Sequence, residues 1–214
     1  MKQIVVVDDH PSTREGLTTR IELEPDLEVC GEADDVEEGL QVIAAKLPHL
    51  AIIDVSLKSG SGIELVKLVK ARDLPTRMLV WSMYDDSLYA ERALRAGAMG
   101  YINKANATGV IISAMRKVLS GEIYVCEEMS AKLLHRMVLG KTTAGQAPEE
   151  ALSDRELQTF ILIGEGRCTA DIAETMQLSR KTIETYRARI KEKLELADMA
   201  SLSREATQWV LENS

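Results

Sequence analysis

A chain of 214 residues, 45% hydrophobic and 28% charged, has room for one large domain or two ordinary ones, with a core that is mostly aliphatic because the chain holds a single Phe. The apolar run at the N-terminus is too short for a secretory signal and acids follow it at once, while no stretch is long enough to span a membrane, so the cytoplasm is the expected compartment. A net charge of −8 speaks against nucleic acid for the chain as a whole; Cys30, Cys126 and Cys168 lie too far apart for a disulfide framework or a zinc site, and the scattered His10, His49 and His135 suggest no catalytic triad.

Residues 1–120 alternate short apolar runs with amphipathic stretches. Strands are expected at 3–8, 27–33, 50–54, 77–82 and 100–103, and helices near 12–24, 35–46, 61–72, 86–96 and 107–119. Five strands alternating with five helices imply a parallel sheet covered on both faces, because each parallel crossover needs a helix. Ligands of such open sheets bind at the carboxyl ends of the strands. Those ends supply Asp8, Asp9, Asp54, Ser82 and Lys104.

Asp54 is the odd member of "LAIIDVSL": a fully covered strand gains nothing from a carboxylate, and an unpaired buried charge costs several kcal/mol. The three acids make sense together as a hard-oxygen set suited to a magnesium ion. Without a cation they would repel and raise one another's pKa; with one, Asp54 can attack a phosphoryl group. Lys104 could then pair with one phosphoryl oxygen and Ser82 donate a hydrogen bond to another.

After residue 120 the pattern changes. A helix is expected over 127–140, ended by Gly140, and "KTTAGQAPEE" (141–150) has the composition of a flexible linker. Ser153 and Glu156 then form a capping box with Leu152 and Leu157 as a hydrophobic staple, opening a wholly helical segment with helices near 154–164, 170–176, 180–194 and 199–211. Thr169 and Ser179 are the candidate N-caps of the second and third. "RKTIETYRARIKEK" (180–193) holds six bases against two acids, a local charge of +4. Ile183, Ile190 and Leu194, with Tyr186 and the stem of Arg187 beside them, form its core face. The opposite face carries Lys181, Glu184, Thr185 and Ala188, side chains able to read base edges. Thr182, Arg189 and Lys193 border that face on one side and Arg180 and Lys191 on the other, where phosphates would lie. The stripe Met199, Leu202, Ala206 and Trp209 is a candidate dimer surface or, equally, packing within the four-helix domain.

On these motifs residues 1–120 resemble a response-regulator receiver domain: "VVVDDH" for the acidic pair, "IIDVSLKSGSG" for the phosphoacceptor loop, "LVWS" for the switch hydroxyl and "GYINK" for the switch aromatic and lysine. The resemblance implies a flavodoxin-like, doubly wound α/β fold with Asp54 as phosphoacceptor. It also implies Asp9 and the backbone carbonyl of Ser56 as direct Mg2+ ligands beside Asp54, Asp8 acting through water, and Ser82 and Tyr101 moving together on activation. Two departures stand out. Lys58 replaces a frequent proline, which is expected to loosen its loop, and Met83 replaces a small residue, which is expected to cover the site partly.

Residues 151–214 are similar to the effector of NarL/FixJ, or LuxR-type, regulators, an all-α four-helix domain with a helix-turn-helix, through "LSDRE", "ADIAETMQLSRKTIETYRARIKEKL" and "MASL". Tyr186 stands where a histidine is frequent, and "LELADMA" lacks a frequent asparagine or glycine. The two resemblances imply a receiver (1–120), a linker helix and flexible linker (121–150) and a DNA-binding domain (151–214). The implied function is a DNA-binding transcriptional response regulator whose Asp54 is phosphorylated by a sensor histidine kinase or a small phosphodonor, with phosphorylation controlling dimerisation and DNA binding. It is not an enzyme beyond its own phosphotransfer and dephosphorylation. Rival readings are a phosphohydrolase with an aspartyl phosphate, opposed by Ser56 where such enzymes usually carry a second acid, a receiver signalling through protein contacts alone, and a flavin-binding domain, opposed by the lack of a phosphate-cradling loop after the first strand.

Overall fold

A computed structural model of the chain describes residues 1–83, 87–127, 129–131, 134, 148–176 and 178–213. It divides into two compact units, Met1–Lys141 and Thr142–Ser214. Most of the expected helix 127–140 and of the linker 141–150 falls outside the described residues.

The first unit is built on β1 (Lys2–Val7), β2 (Leu27–Ala33), β3 (Leu50–Ile53), β6 (Arg77–Ser82) and β7 (Gly100–Asn103), in the order β2-β1-β3-β6-β7 and parallel throughout. All four residues of β3 are buried, as a strand covered on both faces requires. The crossovers run through α1 (Pro11–Glu22), α2 (Val36–Lys46), α3 (Gly62–Ala71) and α4 (Ser87–Ala96), and α5 (Ile111–Ser120) follows β7. Local chemistry sets several boundaries. Pro11 occupies the first turn of α1, Asp35 accepts from the Glu38 N–H at the start of α2, and Ser61 accepts from Ile63 at the start of α3. One face of the sheet packs Ile4, Val6, Ile52, Leu79 and Ile102 against Leu17 and Ile21 of α1 and Ile111, Met115 and Val118 of α5.

Two features depart from the expected pattern. A small antiparallel hairpin, β4 (Ser56–Leu57) and β5 (Gly60–Ser61), follows Asp54; two-residue strands carry no periodicity to read. A 3-10 turn over Lys104–Gly109 takes up what reads as the first turn of the last helix, so α5 begins at Ile111.

The second unit contains α6 (Pro148–Ala151), α7 (Asp154–Gly164), α8 (Thr169–Thr175), α9 (Arg180–Lys193) and α10 (Met199–Asn213). Its core gathers Leu157, Phe160, Ile172, Ile183, Ile190, Leu202 and Ala206. The capping box is present: Glu156 N–H donates to Ser153 Oγ and Ser153 N–H to the Glu156 carboxylate. One expectation is corrected, and one left between two readings is decided. Cys168, not Thr169, is the N-cap of α8: its backbone is extended and its N–H donates to Asp171, while Thr169 is already the first helical residue and its hydroxyl is engaged across to α9. The stripe on α10 faces inward in its centre: Leu202 and Ala206 are fully buried and Trp209 meets Phe160 edge-on at 6.1 Å. Gly164 is what permits this packing, since a Cβ there would stand 2.4 Å from the Ala206 carbonyl oxygen. No helix among the described residues is long and apolar enough to cross a membrane.

Candidate functional site

The strand order reverses between β1, which turns to β2, and β3, which turns to β6, and a crevice opens at that point beyond the carboxyl ends. The pairing Val7↔Ile53 brings the next residues of the two strands side by side. Asp8 N–H still donates to Ala33 and Asp54 N–H to Val7, so both backbones stay locked in the ladder while their side chains enter the crevice.

Ligand atoms of Asp8, Asp9, His10 and Asp54 lie within 4.8 Å of one another. Asp8 and Asp54 are 3% and 4% exposed, and Lys104, whose side chain is 6% exposed, places Nζ 2.7 Å from an oxygen of each. Arg14 donates to the Asp8 carbonyl and, through Nε, to Glu32, while the His10 N–H donates to Asp8 Oδ1. His10, read from sequence as isolated, brings Nδ1 to 2.7 Å from Asp9 Oδ1; its adjacency to the acidic pair was the signal available.

Burial pushes the Asp54 carboxyl up to about 6; Lys104 pulls it down, Asp8 raises it further, and bonds from Lys104 and the Ser56 N–H favour the charged form. One ammonium shared between two buried carboxylates leaves their negative charge incompletely balanced.

Ser82 ends β6 fully buried, and Tyr101 of β7 is 2% exposed. Trp81, not among the expected site residues, stands with its ring centroid 5.8 Å from Lys104 Nζ, close enough for a cation–π attraction. The loop after Asp54 closes tightly because residue 62 is glycine: a Cβ there would sit 1.8 Å from the Asp54 carbonyl oxygen. Lys58 does not loosen the loop. Its N–H, which a proline would lack, donates to the Asp34 carbonyl, and its ammonium pairs with the Asp34 carboxylate. Met83 keeps 66% of its surface in solvent.

In the second unit α9 exposes Arg180, Lys181, Glu184, Thr185, Ala188 and Arg189 and buries Ile183 and Ile190, the division its spacing predicts. Ser179 caps the helix by accepting from the Thr182 N–H, and the Thr185 hydroxyl donates to the Lys181 carbonyl. Lys193 is placed differently from its neighbours: its Nζ lies 2.6 Å from the buried Glu156 carboxylate. Burial alone would raise the pKa of Glu156, but the bonds from Lys193 and Ser153 outweigh it and hold the acid below its ordinary value.

Residues 4–116 match the response regulator receiver domain, and residues 150–206 the luxR family of bacterial regulatory proteins. The virulence factors putative positive transcription regulator BvgA of Bordetella pertussis is 31% identical over 201 residues, 94% of each chain. The transcriptional regulatory protein LiaR of Bacillus subtilis is 30% identical over 200 residues, 92% of this chain and 93% of its own. Among solved structures, a LuxR-family two-component response regulator from Aurantimonas sp., 29% identical, aligns with a TM-score of 0.61 over 64% of this chain and 99% of its own. RcsB of Salmonella enterica, solved on promoter DNA with a phosphomimetic, is 23% identical and shares the fold with a TM-score of 0.60 over 97% of this chain and 98% of its own. With a match in each half and relatives collinear along the length, the chain belongs to the LuxR-type two-component response regulators, DNA-binding transcription regulators controlled through phosphorylation of a receiver.

Proposed function

We propose that Asp54 is the phosphoacceptor, on one observation above all: a buried carboxylate held in the strand ladder beside Asp8, with Lys104 2.7 Å from both. Its carboxylate oxygen attacks the phosphorus of a phosphohistidine on a sensor kinase, or of a small phosphodonor; the bond to the leaving group breaks and an acyl phosphate forms. Lys104 is already within reach of a phosphoryl oxygen on Asp54, and Ser82 supplies a hydroxyl for another. Tyr101 follows Ser82 in the same movement. The receiver carries out its own phosphotransfer and dephosphorylation and has no other catalytic role.

The acids fit a magnesium ion, being hard oxygen donors within 4.8 Å of one another in a site short of positive charge. Asp9, Asp54 and the Ser56 carbonyl would hold it directly and Asp8 through water. When bound it neutralises charge on the transferring oxygens. Because Trp81 lies against Lys104, magnesium titrated into the metal-free Trp209→Phe protein should change Trp81 emission saturably, and Asp9→Ala should remove the response; an equal response in Asp9→Ala would overturn the ligand assignment.

The added charge of about −1.5 to −2 shifts the receiver between two states. The receiver spans 1–120, the linker helix and flexible linker 121–150 and the DNA-binding domain 151–214. Phosphorylation drives homodimerisation, which places two copies of α9 on DNA in the cytoplasm. Lys181, Glu184, Thr185 and Ala188 read base edges; Arg180, Thr182 and Arg189 meet the backbone, while Lys193, expected there by spacing, is engaged by Glu156. Footprinting on the operator with and without phosphorylation tests this. Protection that appears or extends on phosphorylation, and fails in Asp54→Asn, is the expected result; the same footprint in both states would refute control through Asp54.

A further inference from the structure

Glu184 is an acid in the middle of a basic face that should meet a polyanion. A free glutamate on an exposed helix samples many rotamers and repels phosphates. Here it is held. The Thr169 hydroxyl, from the first turn of α8, donates to Glu184 Oε1 at 3.0 Å, and Arg187 Nη1 donates to the same Thr169 oxygen at 2.6 Å. The direction of this chain is fixed by chemistry. Arginine has no acceptor, so the threonine oxygen must receive the Arg187 proton, and its one hydrogen goes to the carboxylate. Bonds arranged head to tail in this way polarise and strengthen one another.

The burial runs in order along the relay. Arg187 is 19% exposed and its Nε is buried with no partner among the described residues, Thr169 is half-buried, and Glu184 is 56% exposed. A cation set beneath the face thus anchors an acid that emerges from it. Oε1 is occupied, whereas Oε2 makes no bond among the described residues and is left as a pure acceptor. On the same face the Thr185 hydroxyl is turned back to its own helix.

We propose that Thr169 and Arg187 are positioning residues that fix Glu184 to accept from an exocyclic amino group in the major groove, cytosine N4 or adenine N6. Phosphates offer no such donor, so a preset carboxylate favours one base position and penalises backbone-only binding. This inference rests on the reading of α9 as the helix that meets DNA.

Selection of binding sites from random DNA, with the full-length phosphorylated protein, separates the two claims. Glu184→Ala should lose preference at one base pair, roughly tenfold, and the base selected by the native protein identifies cytosine or adenine. Thr169→Val should weaken the same preference severalfold without changing the dependence of affinity on salt, because phosphate contacts are untouched. Thr169→Ser should restore it. A Glu184→Ala protein with every preference intact overturns the base contact of Glu184 and this inference with it, whereas a native protein that selects no sequence at all overturns the reading of α9. Preference lost in Glu184→Ala but kept in Thr169→Val overturns the positioning role alone, as does a Thr169→Val protein weakened equally on all sequences, which would mark a mere staple between helices. Should Thr169→Val fail to fold, Arg187→Lys, which keeps the charge and loses the planar donor, carries the same comparison.

Discussion

Asp54→Asn should abolish acid-labile phosphorylation and, in the same protein without metal, raise the stability of the receiver unit near neutral pH. The second effect follows from the first unit's own electrostatics. Burial beside Asp8 holds Asp54 at about 6, above its ordinary value, despite Lys104. Between roughly pH 4 and 6 the folded protein therefore keeps a proton on Asp54 that the unfolded chain has released. Stability from this group is present below the unfolded value and is lost as pH rises through the folded one. Above pH 6 the ionised carboxylate costs the fold up to roughly 3 kcal/mol, the equivalent of about two pH units. Asparagine has the shape of the acid without its charge. The difference in midpoint temperature between Asp54→Asn and the native protein should be several degrees at pH 7.5 and shrink towards pH 4, and added magnesium should narrow it by stabilising only the native site. Labelling by a small phosphodonor that survives the substitution would remove Asp54 from its role. A stability difference independent of pH would show that the buried charge is not its cause.

The residues that make this site are legible because short apolar runs mark the strands and open parallel sheets bind at their carboxyl ends. An apolar run of branched residues ending in an acid specifies both a buried strand and the end at which the acid emerges, and repeating this for Asp8, Asp54 and Ser82 places them along one edge. What was not legible depends on pairs distant in sequence or on features shorter than a period. The tie from Lys58 to Asp34 spans 24 residues, and the hairpin that carries it has strands of two residues each. Trp81 reads as one more apolar strand residue until Lys104, from the next strand's end, is set against its ring. On α10 a stripe of apolar residues is the same pattern whether it faces a second copy or its own domain. Only the partner surface decides, and here it is α7, opened by Gly164 and filled by Phe160.

Lys193 teaches the same lesson with a measurable consequence. By spacing it belongs to the phosphate border of α9, yet its ammonium lies 2.6 Å from Glu156, whose side chain is 4% exposed and whose other bonds cap α7. Lys193→Met keeps the alkyl stem and leaves that carboxylate buried without its cation. The expected loss is on the order of 2 kcal/mol for the second unit, less than for a fully buried pair because Lys193 remains 41% exposed. Glu156 is held below its ordinary pKa, so its contribution is present above the unfolded value and lost as pH falls through the folded one, opposite in sign to Asp54. Acidification below about pH 4 should therefore weaken the native second unit and narrow its advantage over Lys193→Met. If Lys193 contacted only phosphate, the substitution would lower the salt dependence of DNA binding and leave thermal unfolding of this unit unchanged. A midpoint that falls at pH 7 and converges with the native one in acid assigns it to the fold.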